Sequence, residues 1–207
     1  MVKNIIFDVD GTLWDSSETI LKAWNIVFSR RGLPQKRLSE IRACMGLTRE
    51  AIAGKIFPSL PEEAREELVG ECLETQKDLL ACEGGKLYPG VRETLPLLFS
   101  RFGLYIVSNC ECGYIEGMLS FCGLERFFRG FLCAGMTGLD KGENLRLLRE
   151  KYALDGCVYV GDTRTDELAC RRAGIPFVWA SYGFGKAESP AATVGSFSEI
   201  AEKVGRF

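Results

Sequence analysis

The chain has 207 residues, 46% of them hydrophobic and 26% charged, with a formal net charge of −2 and no histidine. That length buries a full core, as one large domain or one domain plus an insertion, and the composition is that of a globular protein. The charge balance, with no basic half, argues against nucleic acid as a partner, and no apolar run approaches the roughly 18 residues of a membrane span.

Residues 4–8 (NIIFD) predict a short buried strand ending in Asp8, with Asp10, Gly11 and Thr12 close behind. From Ser16 to about Ala81 the pattern is helical. Ile20, Leu21, Trp24, Val27 and Phe28 form an apolar face at three-to-four spacing, and Gly32 and Pro34 stop that helix. Further helices are predicted from about Ser39, from about Thr48, and from Pro61 to about Cys82. Proline and acids in its first turn mark the start of the last.

The pattern then changes. Helices are predicted at 91–99, 114–122, 141–152, 167–173 and 197–204, and strands at 104–107, 131–134, 157–160 and 175–179. Strands of about five residues alternating with helices predict βαβ units, right-handed crossovers and a doubly wound, Rossmann-like parallel sheet. The helical block interrupts this alternation just after the first strand. The expected division is an α/β core, residues 1–15 and 86–207, and an inserted all-helical domain, residues 16–85. Gly11–Asp15 and Glu83–Pro89 are its linkers.

Nine cysteines, an odd number with no secretory leader in the reading of the N-terminus, predict free thiols in a reducing cytoplasm. Cys110 and Cys112 form C-x-C, and no histidine exists to complete a mixed zinc site.

Ligands of open α/β sheets bind at the carboxyl ends of the strands. Three predicted strands end there in polar groups: Asp8-Val9-Asp10, Ser108-Asn109 and Asp162. Thr12, Lys141 and Asp166 stand near them in sequence. Carboxylates that meet repel unless a cation lies between them, and oxygen ligands with open positions suit Mg²⁺. The same set suits phosphoryl transfer. One carboxylate can attack phosphorus, a second two residues on can act as acid and base in place of histidine, and the cations and donors can neutralise the transferring oxygens.

Asp8-Val9-Asp10-Gly11-Thr12 resembles the D-x-D-G-T motif of the haloacid dehalogenase-like hydrolase superfamily. Ser108-Asn109, Lys141 and Gly161-Asp162-Thr163-Arg164-Thr165-Asp166 resemble its second, third and fourth motifs, in order, across nearly the whole chain. The helical block is similar to the cap of the phosphoglycolate phosphatase-like branch. The resemblance implies Asp8 as nucleophile and Asp10 as general acid–base, with the Asp10 backbone carbonyl on the metal. It implies Ser108 and Asn109, with Thr12, around the phosphoryl group, and Lys141 as its charge partner. Asp162 would ligate Mg²⁺ directly and Asp166 through water. The presence of Asp10 separates the chain from the dehalogenases, which lack that carboxylate. The function implied is a Mg²⁺-dependent phosphatase of a small phosphorylated metabolite, with 2-phosphoglycolate as first candidate, in a monomer or weak homodimer.

Several readings of single residues accompany this. Gly46-Leu47-Thr48-Arg49 resembles the G-x-S-R segment with which the cap of beta-phosphoglucomutases reaches a second phosphate, which makes Arg49 a candidate substrate contact. Met45 stands where those mutases carry a lysine. A phosphosugar mutase and a nucleotide or pyrophosphate phosphatase are the enzyme alternatives. The non-enzyme ones are a receiver-like domain, disfavoured by the helical insertion, and a phosphate-binding relative without catalysis. Asp166 is a candidate N-cap of the helix at Glu167. Arg164 and Thr165 read as solvated loop residues, Trp14, Trp24 and Phe28 as packing, and Tyr182–Gly185 as a loop shaped by glycines near the active edge.

Overall fold

The computed structural model describes residues 1–205. Its centre is β1 (Asn4–Phe7), every residue of which is buried. The chain then forms β2 (Trp14–Asp15) and four helices: α1 (Ser17–Arg30), α2 (Leu38–Arg42), α3 (Arg49–Ile56) and α4 (Glu62–Glu83). It returns through β3 (Lys86–Leu87). There follow α5 (Val91–Phe99), β4 (Gly103–Ser108), α6 (Tyr114–Cys122), β5 (Gly130–Cys133), α7 (Ala134–Thr137) and α8 (Lys141–Lys151). The chain closes with β6 (Cys157–Gly161), α9 (Arg164–Ala173), β7 (Phe177–Ala180), β8 (Ala192–Val194) and α10 (Ile200–Val204).

Six strands form one parallel sheet in the order β5-β4-β1-β6-β7-β8. The first strand pairs with β4 on one side (Asn4 opposite Gly103) and β6 on the other (Asn4 opposite Cys157). Alternation sends its side chains to opposite faces. Ile5 and Phe7 pack with Leu95, Leu119 and Val204, from α5, α6 and α10. Ile6 packs with Leu145 and Ala169, from α8 and α9. Burial on both faces is why these strands read as unbroken apolar runs.

The sheet differs from expectation at its edge. Pairing of β7 begins at Phe177, after Pro176, which has no N–H to give. The three-residue β8 has no apolar run to announce it. Residues 197–199 form a single 3₁₀ turn before α10.

The helical insertion has its own apolar seam. Ile20, Ala23, Trp24, Val27 and Phe28 of α1 are buried, as are Leu68, Val69, Cys72, Gln76 and Leu80 of the 22-residue α4. Phe28 stacks on Phe57 with centroids 5.4 Å apart. The expected linkers are not free: β2 and β3 pair antiparallel, Trp14 opposite Leu87 and Asp15 opposite Lys86. Entry and exit therefore run side by side. All nine cysteines are unpaired thiols, six of them buried. Among the described residues no helix is long and apolar enough to cross a membrane.

Candidate active site

Because β4, β1 and β6 are neighbours, their carboxyl ends bring Ser108, Asp8 and Asp162 to one edge. Lys141, the first residue of α8, reaches the same place. It is 2% exposed, and its Nζ lies 3.1 Å from Asp8 Oδ1 and 2.6 Å from Asp166 Oδ1. A cation at a helix N-terminus opposes the dipole; two buried carboxylates supply the compensating attraction, and Asp140 caps the helix by accepting from Glu143 N at 2.9 Å.

The helix α9 starts earlier than expected. Thr163, not Asp166, is its N-cap, and Asp166 sits at the third helical position as the return half of a capping box. Arg164 is therefore helical rather than a loop residue, and it pairs with Glu167 and Glu188, each at 2.7 Å. Both Asp166 oxygens are engaged. Oδ2 accepts from Thr163 N, Thr163 Oγ1 and Asp162 N at 2.9, 2.7 and 3.2 Å, and Oδ1 accepts from Lys141 and, at 3.3 Å, from the Tyr159 hydroxyl.

Asp8 is the opposite case. Its Oδ1 meets the Lys141 ammonium 3.1 Å away, and its Oδ2 has no partner although the residue is 1% exposed; Asp162 Oδ1 is likewise unpartnered. Buried polar atoms are normally satisfied. Oxygens of Asp8, Asp162 and Asp166 all lie within 4.8 Å of one another. Unpartnered carboxylate oxygens facing each other in a buried cluster fit a hard divalent cation. Asp162 is held in place by the Tyr182–Gly185 loop. Phe184 N donates to its Oδ2 at 2.7 Å and Gly185 N at 3.3 Å, while Trp179 Nε1 donates to its carbonyl at 3.0 Å. A Cβ at Gly183 would run into the Gly11 carbonyl and the Asp162 side chain, so the glycine is what lets this loop close on the site.

Charge follows the burial. Desolvation pushes the Asp8 carboxyl up to about 7, against the pull of Lys141. Burial also raises Asp10, and it raises Asp162 strongly with help from Asp166 and Asp8. Burial works against charge on Lys141, but Asp166 and Asp8 outweigh it and hold the amine well above its usual range. Three buried carboxylates, Asp8, Asp162 and Asp166, thus gather beside one buried lysine.

Asp10 turns away from that cluster. Its Oδ1 accepts from Ser16 Oγ at 2.6 Å and from the Tyr114 hydroxyl at 2.7 Å. Those two hydroxyls lie 2.9 Å apart. Neither residue carries a motif signal. Ser16 looks like the start of a helix, and Tyr114 is one apolar-face residue among several on α6. Thr12 is fully buried with Oγ1 unpartnered, and Tyr182 donates to its carbonyl at 2.9 Å.

The insertion closes over this edge. Asn109 Nδ2 donates to the Gly46 carbonyl at 2.8 Å, across the boundary, and the Arg42 guanidinium lies over the Phe184 ring. Between the two layers is a cavity of about 600 Å³. Asp10, Ser108, Asn109 and Tyr114 line it from the sheet side, and Trp24 and Arg49 from the insertion. Arg49 is thus at the cavity wall, but its Nε is held by Glu66 at 2.8 Å. Asp8, Asp162, Asp166 and Lys141 form one buried cluster, with Asp10, Ser108 and Asn109 on the cavity wall at the same sheet edge and Arg49 apart on the facing layer.

Carboxylates at the ends of adjacent parallel strands and a lysine bridging two of them make a candidate phosphoryl-transfer site, and the family and relatives of the chain make it a phosphoric monoester hydrolase. The haloacid dehalogenase-like hydrolase model matches residues 5–180, and the chain belongs to that family. It is 34% identical over 190 residues to a phosphoglycolate phosphatase of Xanthomonas campestris, covering 87% of this chain and 83% of the relative. It is 27% identical over 201 residues to a phosphoglycolate phosphatase of Caulobacter vibrioides, covering 93% and 84%. The fold is shared with a haloacid dehalogenase-like hydrolase from Streptococcus pneumoniae, at a TM-score of 0.87, 24% identity and 98% coverage of both chains. The branch is that of the phosphoglycolate phosphatases.

Proposed function

We propose that the protein is a Mg²⁺-dependent phosphatase working through an aspartyl-phosphate on Asp8, with residues 16–85 as its cap. The observation that carries this is the buried Asp8 carboxylate, with Oδ1 3.1 Å from Lys141 Nζ and Oδ2 without a partner. Asp8 attacks phosphorus, and the ester P–O bond breaks. Asp10 gives its proton to the departing alcohol oxygen. Asp10 then takes a proton from the water that attacks the acyl phosphate, which releases phosphate and restores Asp8. Ser108, Asn109 and Thr12 offer hydrogen bonds to the phosphoryl oxygens, and Lys141 offsets their charge. Asp8, Asp162, the Asp10 carbonyl and, through water, Asp166 would hold Mg²⁺. Bound there, the ion would neutralise charge on the transferring group.

The relatives named for it make 2-phosphoglycolate the first substrate to assign. Arg49, the candidate substrate contact on the cavity wall, would meet its carboxylate only on release from Glu66. The cap excludes bulk water from the reacting centre. The test is phosphate release from 2-phosphoglycolate with Mg²⁺ and with EDTA, in the native chain and in Asp8→Asn. Metal-dependent release that Asp8→Asn abolishes supports the reading. A folded Asp8→Asn variant that still turns over would sink it.

A further inference from the structure

The cavity is larger than a two-carbon acid requires. About 600 Å³ lies within the roughly 300–1,000 Å³ range of sites that hold drug-sized ligands. Its wall on the insertion side is largely apolar, with Ile20, Trp24, Ile41, Leu47, Ile52 and Leu73, and carries Arg49, Glu74, Gln76 and Lys77 among them. The one polar atom of Trp24 is already engaged, since its Nε1 donates to Gln76 Oε1 at 2.9 Å and both residues are buried. The indole therefore offers the cavity only its carbon surface.

Charge in the same wall is neutralised or pushed to the rim. The Arg49 guanidinium is bound by the Glu66 carboxylate at 2.8 Å and by the Glu66 carbonyl at 3.4 Å. Lys77 is exposed, and Glu74 and Glu111 add negative charge. An anionic substituent on the leaving group would find no buried free cation here. An uncharged apolar one would be enclosed on several sides.

We infer that this chamber serves a second substrate class: phosphomonoesters whose alcohol carries an uncharged aromatic or branched aliphatic body. The inference rests on the phosphatase reading and extends it beyond 2-phosphoglycolate. The phosphoryl end sits at Asp10, Ser108 and Asn109, and the body of the alcohol fills the space beneath Trp24 and Leu73. The reaction is the same hydrolysis: the P–O ester bond breaks, water supplies the new phosphate oxygen, and the alcohol leaves with a proton.

The test compares ethyl phosphate with 2-phenylethyl phosphate. Both release an ordinary alkoxide, so their ratio reads the chamber rather than leaving-group chemistry. Even one methylene in an apolar pocket changes kcat/KM by roughly tenfold or more. The expected result is that 2-phenylethyl phosphate exceeds ethyl phosphate at least tenfold in kcat/KM and at least equals 2-phosphoglycolate. Leu73→Trp, which fills the chamber, should bring the phenylethyl-to-ethyl ratio below threefold. A phenylethyl-to-ethyl ratio near one in the native chain overturns the inference, as does a tenfold preference for 2-phosphoglycolate. If no ester releases phosphate, the phosphatase reading has failed instead. The chamber is then read by calorimetry with 2-phenylethylphosphonate and methylphosphonate, where binding at least tenfold tighter for the first upholds it and equal binding overturns it.

Discussion

The Tyr114 hydroxyl donates to Asp10 Oδ1 at 2.7 Å, alongside Ser16 at 2.6 Å, so one oxygen of that cavity-lining carboxylate is doubly held. The two donors come from opposite sides of the boundary: Tyr114 opens α6 of the sheet layer, and Ser16 stands between β2 and α1. The orientation of the proposed general acid is thus tied to where the insertion begins. Removing one hydrogen bond to a charged group costs about 1.5–3 kcal/mol, or roughly ten- to a hundredfold in rate where it acts in the transition state. Tyr114→Phe should lower kcat at least tenfold on alkyl phosphates, which need a protonated leaving oxygen. It should change turnover of acetyl phosphate, whose leaving group needs none, less than threefold. Equal losses on both would show that Tyr114 only supports the fold.

Among the described residues Lys141 is the one buried cation, against five buried acids, Asp8, Asp10, Asp162, Asp166 and Glu167. Deleting one member of a buried ion pair typically costs about 3–5 kcal/mol, because the partner is left charged and unpaired. Lys141→Met should destabilise the metal-free protein by about that amount in urea denaturation and abolish phosphate release. A variant with native stability would mean that Asp8 and Asp166 are satisfied in some other way.

The raised carboxylates set the direction of the pH response. Asp8 titrates at about 7 in the fold and at an ordinary 3.8 when unfolded, so across that window the native state binds more protons. Stability therefore falls as pH rises from about 4 to 7. Asp10 and Asp162, also raised, act in the same sense. Glu167 is shifted the other way, but its contribution is lost only as pH falls below the usual carboxylate range. The thermal midpoint of the EDTA-treated protein should be higher at pH 5 than at pH 7.5. Mg²⁺ should raise it more at pH 7.5, where its ligands are ionised in the native state. A metal-free midpoint that rises between these pH values contradicts the carboxylate cluster as described.

Gly183 sets how closely the 182–185 loop packs on Asp162. In Gly183→Ala the added methyl forces the loop off the Gly11 carbonyl and pulls the Phe184 N–H from Asp162 Oδ2. The Mg²⁺ concentration giving half-maximal turnover should rise at least tenfold, as disturbing the partners of a metal ligand commonly costs ten- to a hundredfold in affinity. An unchanged requirement would place Asp162 outside the metal site.

The acids at the strand ends are readable in the sequence because each follows an unbroken apolar run, and the sheet order then brings Asp8, Ser108 and Asp162 together. Lys141 is readable for a different reason, being a cation where the helix dipole disfavours one. The β2–β3 ribbon is not readable, since two residues per strand show no periodicity. Asp166 is misplaced by one detail of capping: Thr163 accepts from Asp166 N and so takes the cap position that Asp166 could have filled. The part played by Tyr114 has no local signal at all, because its partner Asp10 lies on the far side of the inserted helices in sequence.

The placement of β1 has a consequence for the order in which the chain can acquire its shape during synthesis. Both neighbours of this strand come late: Asn4 meets Gly103 on one side and Cys157 on the other. The seam between α1 and α4 is complete within the first 83 residues. Contacts that close long stretches of chain form slowly, and local ones form fast. The helices of the insertion should therefore pack while Ile5, Ile6 and Phe7 are still without strand partners. For that interval an apolar segment of the future sheet is an unpaired edge, and a nascent chain stalled before β4 would present it to chaperones or to its own copies.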